Sequence, residues 1–197
     1  MRAFVARCSL HVSRMTLLVA IVVFSSCAKK DPVSTKTFAD VDSLISAQIK
    51  SLPGNTLKKS VEIGGKKDEI SFKPDSLQWS NELDIFRQLD QVNKASFLDA
   101  YVVSDIRDTN SNLTIREIKA NRLVPVSLIR FYFLRTPKDL RKIEAAWTEE
   151  NALYKNDRTM VLELNERHLV SHYRIEGTQK MVMSDSVKFL ITGEVLE

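Results

Sequence analysis

From residue 99 to the C-terminus the chain is a succession of short alternating apolar segments, cut by turn residues at intervals of about ten. No other feature constrains the fold as strongly, because such a pattern can bury its apolar face only by pairing into an antiparallel sheet. Residues 100–106 and 113–118 flank Asp108-Thr109-Asn110-Ser111, a cluster of turn formers. Residues 128–134 carry bulk on both faces (Leu128, Ile129, Phe131, Tyr132, Phe133, Leu134), which predicts a central strand covered on both sides. Pro125 lies near its start, where a missing N–H is tolerated. Met160, Leu162 and Leu164 alternate before Asn165-Glu166-Arg167; 169–175 follows and is broken at Gly177. Met181-Val182-Met183 and 187–195, joined through Ser184-Asp185-Ser186, complete the run.

The segment 138–153 reads two ways. Thr136, Pro137 and Asp139 suit the cap and first turn of a helix, and Leu140, Ile143 and Trp147 keep helical spacing. Pro137 equally suits the second position of a tight turn, and Ile143, Ala145 and Trp147 alternate. Strand is the reading adopted, because it makes the flanking strands a simple meander.

Two helices precede this region. Val41, Leu44, Ile45, Gln48, Ile49 and Leu52 fall on one face of a helix over 38–52, capped by Thr37 or Asp40 and ended by Pro53-Gly54-Asn55. Trp79, Leu83, Phe86 and Leu89 mark a second helix over 76–91, with Asp75 and Gln78 at capping-box spacing. Trp79 is expected in the core. Between them, 58–63 and 67–73 alternate around Gly64-Gly65, a hairpin signal. The expected fold is α+β: two N-terminal helices packed on a curled antiparallel β-meander. Phe131 and Phe133 are expected in its core.

Residues 1–26 stand apart from this domain. Arg2, Arg7 and Arg14 precede the apolar run Leu17–Phe24 and the small residues Ser25-Ser26, the three parts of a secretory signal peptide. The run is about half of the ~20 apolar residues that a spanning helix needs. The leader holds three of the 29 Lys and Arg and none of the 25 acids, so the mature chain is nearly neutral. A basic balance that would suggest nucleic acid is therefore absent.

Phe24-Ser25-Ser26-Cys27 resembles a bacterial lipobox: apolar, small, small, cysteine. The resemblance implies diacylglyceryl attachment at Cys27, cleavage before it, and stable anchoring by two or three acyl chains. Cys8 leaves with the leader, so no thiol or disulfide remains in the mature domain. Residues 27–37 then read as a lipidated polar tether, and 38–197 as one domain. Surface-exported lipoproteins of Bacteroidota usually carry an acidic cluster after the cysteine; Lys29 and Lys30 stand there instead, so the resemblance implies the periplasmic side of the outer membrane. The mature sequence, and Tyr173-Arg174-Ile175-Glu176-Gly177-Thr178-Gln179-Lys180 in particular, is similar to uncharacterised Bacteroidota lipoproteins, a likeness that implies no specific function. In shape and address the expected molecule also resembles Lol-type lipoprotein carriers, whose half-barrel holds acyl chains.

Chemistry-bearing patterns are sparse. His168 and His172 are four apart, with Glu166 and Glu176 nearby, but two histidines do not close a tetrahedral zinc site and no thiol is available. The five glycines form neither G-x-G-x-x-G nor a phosphate-binding loop, and no G-x-S-x-G is present. Asp31, Asp105, Asp108 and Asn110 lack the central Gly and terminal Glu of an EF-hand. Arg116, Lys119, Arg122, Arg130 and Arg135, with Tyr132 and Phe133, form a basic–aromatic region that reads as a solvated sheet face. The expectation is a non-enzymatic binding or structural lipoprotein of the cell envelope, without catalytic residues, metal or cofactor. Its partners would be the membrane, through Cys27, and an envelope protein, with no nucleic acid. The alternative is a lipid or apolar-ligand carrier.

Overall fold

The computed structural model describes residues 36–109 and 111–196. The leader, Cys27 and the tether up to residue 35 lie outside the described residues. Helix α1 (Val41–Ser51) starts where the Asp40 carboxylate accepts from the Ser43 N–H and hydroxyl. Helix α2 (Ser76–Arg87) starts with the full capping box: Asp75 accepts from Gln78 N, and the Gln78 side chain accepts from Asp75 N. Two 3-10 segments follow α2: Gln88–Asn93, where the sequence predicts that the α-helix runs on to 91, and Ala95–Ala100.

The nine strands are β1 (Thr56–Ile63), β2 (Lys66–Phe72), β3 (Tyr101–Arg107), β4 (Thr114–Ala120), β5 (Val126–Phe133), β6 (Leu140–Glu150), β7 (Tyr154–Leu164), β8 (Val170–Met181) and β9 (Val187–Leu196). They form one antiparallel sheet in the order β2-β1-β9-β8-β7-β6-β5-β4-β3. Gly64 and Gly65, both at positive φ, turn the first hairpin. That hairpin does not stand beside the meander as a neighbour in sequence would. It returns to pair β1 with β9, Leu57 opposite Val195 and Ile63 opposite Phe189.

This overturns the expected α+β class. Strand makes up 51% of the structure and helix 22%, and the sheet is open, with β2 and β3 as its edges. The reason is physical: helical periodicity announces itself locally, whereas the β1–β9 pairing joins residues far apart and leaves no local trace. The strand reading of 138–153 holds, and two smaller corrections follow it. Residues 140–150 are strand β6, and Pro137 sits in the preceding turn, where Asp139 N donates to Thr136 O. Strand β5 is third from the β3 edge, not central, and Leu123 lies outside it, fully exposed. Gly177 does not end β8, which continues to Met181.

Antiparallel partners share a face and successive residues alternate. Tyr173, Leu162 and Ile143 point to the helices, as do Ile175, Met160, Ala145 and Ile129 one row on. These side chains join Ile45, Leu52, Trp79, Leu83, Phe86 and Leu89 in one buried cluster. Trp79 is wholly buried and Phe131 nearly so; Phe133 is half-buried at the margin. Three register shifts interrupt the pairing, at Val126/Leu128, Tyr132/Phe133 and Glu163/Leu164; at the first and last a serine donates to the facing strand, Ser127 to Ala146 O and Ser171 to Glu163 O, both at 3.3 Å.

Candidate functional site

The sheet face turned away from the helices carries ladders of charge. One row runs Lys58, Glu194, His172, Glu163, Lys142 across five strands. The next runs Ser60, Thr192, Arg174, Val161, Glu144, Arg130, Glu117. Opposite charges that face each other across strands support the sheet while keeping this surface hydrated. Arg130 Nε lies 2.7 Å from Glu117, and Lys142 Nζ lies 2.7 Å from Glu144 and 4.0 Å from the Tyr132 ring centre. Tyr132 donates a short hydrogen bond to Glu144. Burial, followed by the Glu144 hydrogen bond and charge, pushes the Tyr132 phenol up to about 12. Burial also acts to raise the Glu144 carboxyl, but hydrogen bonds from Lys142 and Tyr132 outweigh it and leave it below the usual carboxylate range.

Two open grooves, sharing Glu62 and Leu190, occupy the β1–β9–β8–β7 region. The smaller, about 530 Å3, is lined by ladder residues including Lys58, Glu163, His172, Arg174 and Glu194. The larger, about 860 Å3, runs from the Gly64-Gly65 turn past Lys188, Thr178 and Asp157 to Trp147 and Arg158. Arg158 lies 3.8 Å over the Trp147 ring. Arg158 Nε, Trp147 Nε1 and Asn156 Oδ1 are buried with no hydrogen-bond partner among the described residues. Burial pulls the Arg158 guanidinium below its usual value, and the Glu149 charge offsets part of that. Strand alternation turns the Trp147 and Arg158 side chains to the helix side, with Ala145 and Met160, so the groove surface itself is built by Glu62, Asp157, Glu176, Thr178 and Lys188.

On the helix side a second polar cluster is structural. Lys59 Nζ lies 2.8 Å from both Glu82 oxygens, and Tyr173 donates to Glu82 at 2.8 Å. The cluster ties β1, α2 and β8 together. Burial raises the Tyr173 phenol pKa well above its ordinary value, helped by the Glu82 charge. The phenol therefore stays protonated and keeps its donor role.

The residues singled out from sequence are dispersed. His168 sits in the β7–β8 turn at φ 58, with Nε2 3.8 Å from Asp139. His172 lies on the ladder face with Nε2 3.6 Å from Glu194. Both are about half exposed, and the bulge at Ser171 lies between them. Among the described residues, no group of three His, Cys, Asp or Glu side chains is placed to hold a metal. The basic region is split by pairing: Arg116 with Asp105, Arg122 with Asp99, Arg130 with Glu117. Tyr132 and Phe133 point to opposite faces. Of the EF-hand candidates, Asp105 holds Arg116, while Asp31 and Asn110 lie outside the described residues. Cys27 also lies outside them. The stacked pair Trp147 and Arg158 was missed, since the register that joins them is set only by β6–β7 pairing. None of the described helices is long and apolar enough to cross a bilayer. Comparison with known proteins gives no match: no family model, no curated protein and no solved structure is similar to the chain.

Proposed function

We propose that this chain is a membrane-anchored, non-enzymatic binding module of the cell envelope, held by acyl chains on Cys27 at the outer membrane and facing the periplasm. Its groove takes a segment of a partner polypeptide. The observation that carries this reading is an open groove of about 860 Å3 on the sheet face away from the helices, lined by Glu62, Asp157, Glu176, Thr178 and Lys188. The backbone of an extended segment fits such a lining, its N–H groups toward the carboxylates and its carbonyls toward Lys188 and the threonine hydroxyls. A carrier of acyl chains would need apolar space between sheet and helices. There, Ile45, Leu83, Phe86, Ile129, Ile143, Met160 and Leu162 are instead interlocked and buried.

Photocrosslinking in intact cells tests this. A photoreactive residue at Thr178 or Thr159 is expected to give one discrete adduct that is lost in Glu176→Lys and absent when the probe replaces exposed Lys50. Loss of the adduct must leave the melting transition unchanged. Adducts of equal yield from all three positions, or none from the groove, would refute the reading. Co-purification of stoichiometric lipid with the mature chain would replace it with the carrier.

A further inference from the structure

The exposed apolar side chains of this sheet are not spread evenly. Strands β6, β7 and β8 run beyond the row of Trp147, Arg158 and Gly177 to Glu150, Tyr154 and Met181, forming a tongue. At its end the β6–β7 turn exposes Leu153 (70%) and the β8–β9 turn exposes Val182 (59%) and the whole of Met183 (102%). The two turns are joined by a hydrogen bond of 2.8 Å from Val182 N to Leu153 O. Met181 and Val187 widen the same patch. Turns at the opposite end of the sheet, such as Arg135–Asp139 and Glu166–His168, are polar.

Met183 sharpens the point. It sits at φ 64, a conformation that glycine or asparagine adopts without strain and a methionine does not. A large apolar side chain is thus held in water where a small polar one would fit better. Each apolar tip is also flanked by a cation: Lys155 follows Leu153, Lys180 precedes Met181, and Lys188 follows Val187. The acids Glu150 and Asp157 are engaged by Lys155, at 3.2 and 3.9 Å. Lys180 and Lys188 have no ion-pair partner among the described residues. Asp185 is the single acid within the β8–β9 turn itself.

The start of the domain lies at this end too. Phe38 packs edge-on against Tyr101, whose hydroxyl donates to Val126 O, and Val126 pairs with Trp147 at the root of the tongue. The first described residues of the domain thus lie toward the end that carries the apolar tips.

We propose that the tongue is a membrane-contact device: Leu153, Val182 and Met183 dip into the interfacial region of a lipid bilayer, and Lys155, Lys180 and Lys188 meet anionic headgroups. Apolar tips ringed by long cationic side chains match the two layers of that interface. The proposal goes beyond the anchored-module reading and holds with or without an acyl group on Cys27. Contact at the tips would stand the sheet up from the bilayer and set the direction in which the groove opens.

The test uses the chain from residue 28 onward, which has no anchor and keeps the whole compact unit of residues 36–197. It is sedimented with vesicles of phosphatidylcholine, alone and mixed with phosphatidylglycerol. Binding to the anionic vesicles is expected. It should weaken about tenfold in Leu153→Asp/Met183→Asp, and also in Lys180→Glu/Lys188→Glu. Aspartate tolerates the left-handed turn position, so the first variant should melt like wild type. Leu77→Asp, at an exposed apolar site on α2, should bind like wild type. No vesicle binding by the wild type would overturn the proposal. So would undiminished binding by Leu153→Asp/Met183→Asp, or equal loss in Leu77→Asp. A wild-type dimer that Met183→Asp converts to monomer would assign the tips to a second copy and overturn it as well.

Discussion

Gly193→Ala should be among the most destabilising single-methyl changes in this chain, although Gly193 does not sit at positive φ. Gly193 lies in β9 directly opposite Tyr173 in β8, and the tyrosine ring lies across it. A Cβ at Gly193 would come within 2.2 Å of Tyr173 Cε1, 2.3 Å of Cζ and 2.7 Å of the hydroxyl oxygen. The ring has nowhere to go: its hydroxyl is fixed on Glu82 at 2.8 Å, and Phe86 packs edge-on against it at 6.3 Å. Forcing a methyl into a filled site costs about 1–3 kcal/mol. Displacing the ring also breaks a hydrogen bond to a largely buried carboxylate, worth about 1.5–3 kcal/mol. The expected loss is therefore about 3 kcal/mol or more.

A double-mutant cycle read by urea unfolding separates this clash from any general cost of altering β9. Tyr173→Ala alone should cost about 3–5 kcal/mol, as for other buried aromatics. In that background the space over residue 193 is empty, and Gly193→Ala should be neutral or stabilising by about 0.5 kcal/mol, since alanine is easier than glycine to order in a strand. The coupling between the two sites should thus reach about 3 kcal/mol. Additive effects, or a Gly193→Ala variant within about 0.5 kcal/mol of wild type, would refute the argument.

Among the described residues Gln48 is the one buried polar side chain of the core; it donates to His168 O and accepts from Val170 N, both at 2.9 Å, so Gln48→Leu should cost about 1–3 kcal/mol by denaturant unfolding. Asp40 is held at about 2 by Lys36 and then by Ser43, against an ordinary 3.8, so its contribution is complete above pH 3.8 and drains away as pH falls toward 2; acid titration of Asp40→Asn should lack that component. Phe131→Ala should cost about 3–5 kcal/mol and half-buried Phe133→Ala distinctly less, read from thermal melts. Mass spectrometry of the mature chain should find an acylated Cys27 at its N-terminus, and Cys27→Ala should release the protein from membranes with its melting transition unchanged.

What could be read from the sequence was local. The capping box at Asp75 and Gln78, the Gly64-Gly65 turn and the alternation of Ile143, Ala145 and Trp147 each involve residues within one turn or one strand, and the structure keeps all three. The misreadings involve partners that only the fold supplies. Gly177 looks like a strand end because glycine weakens strands. It lies inside β8 because Phe189, directly opposite in β9, lays its ring over it. Gly193 under Tyr173 is the mirror case one turn of the ladder away. Aromatic cover compensates the missing side chain in both, and nothing near either glycine in sequence reveals it.

The same reasoning explains why the candidate sites were hidden. Alternation tells which residues share a face, but not which stretches of that face are covered. Here the helical layer crosses the sheet obliquely. Gln48 reaches the β7–β8 turn, Glu82 reaches β1 and β8, and the last 3-10 segment ends beside the β4–β5 turn, where Arg122 binds Asp99. The tongue of β6, β7 and β8 runs out from under that layer. Met181-Val182-Met183 therefore reads as one more buried strand, while in the fold it is the rim of an exposed end. Trp147 marks the border. It is buried by the core on one side and capped by Arg158 on the other, and the groove and the tongue both begin at its row. A partner in the groove and a bilayer at the tips would thus act on adjoining stretches of β6 and β7, so occupancy of one is positioned to alter access to the other.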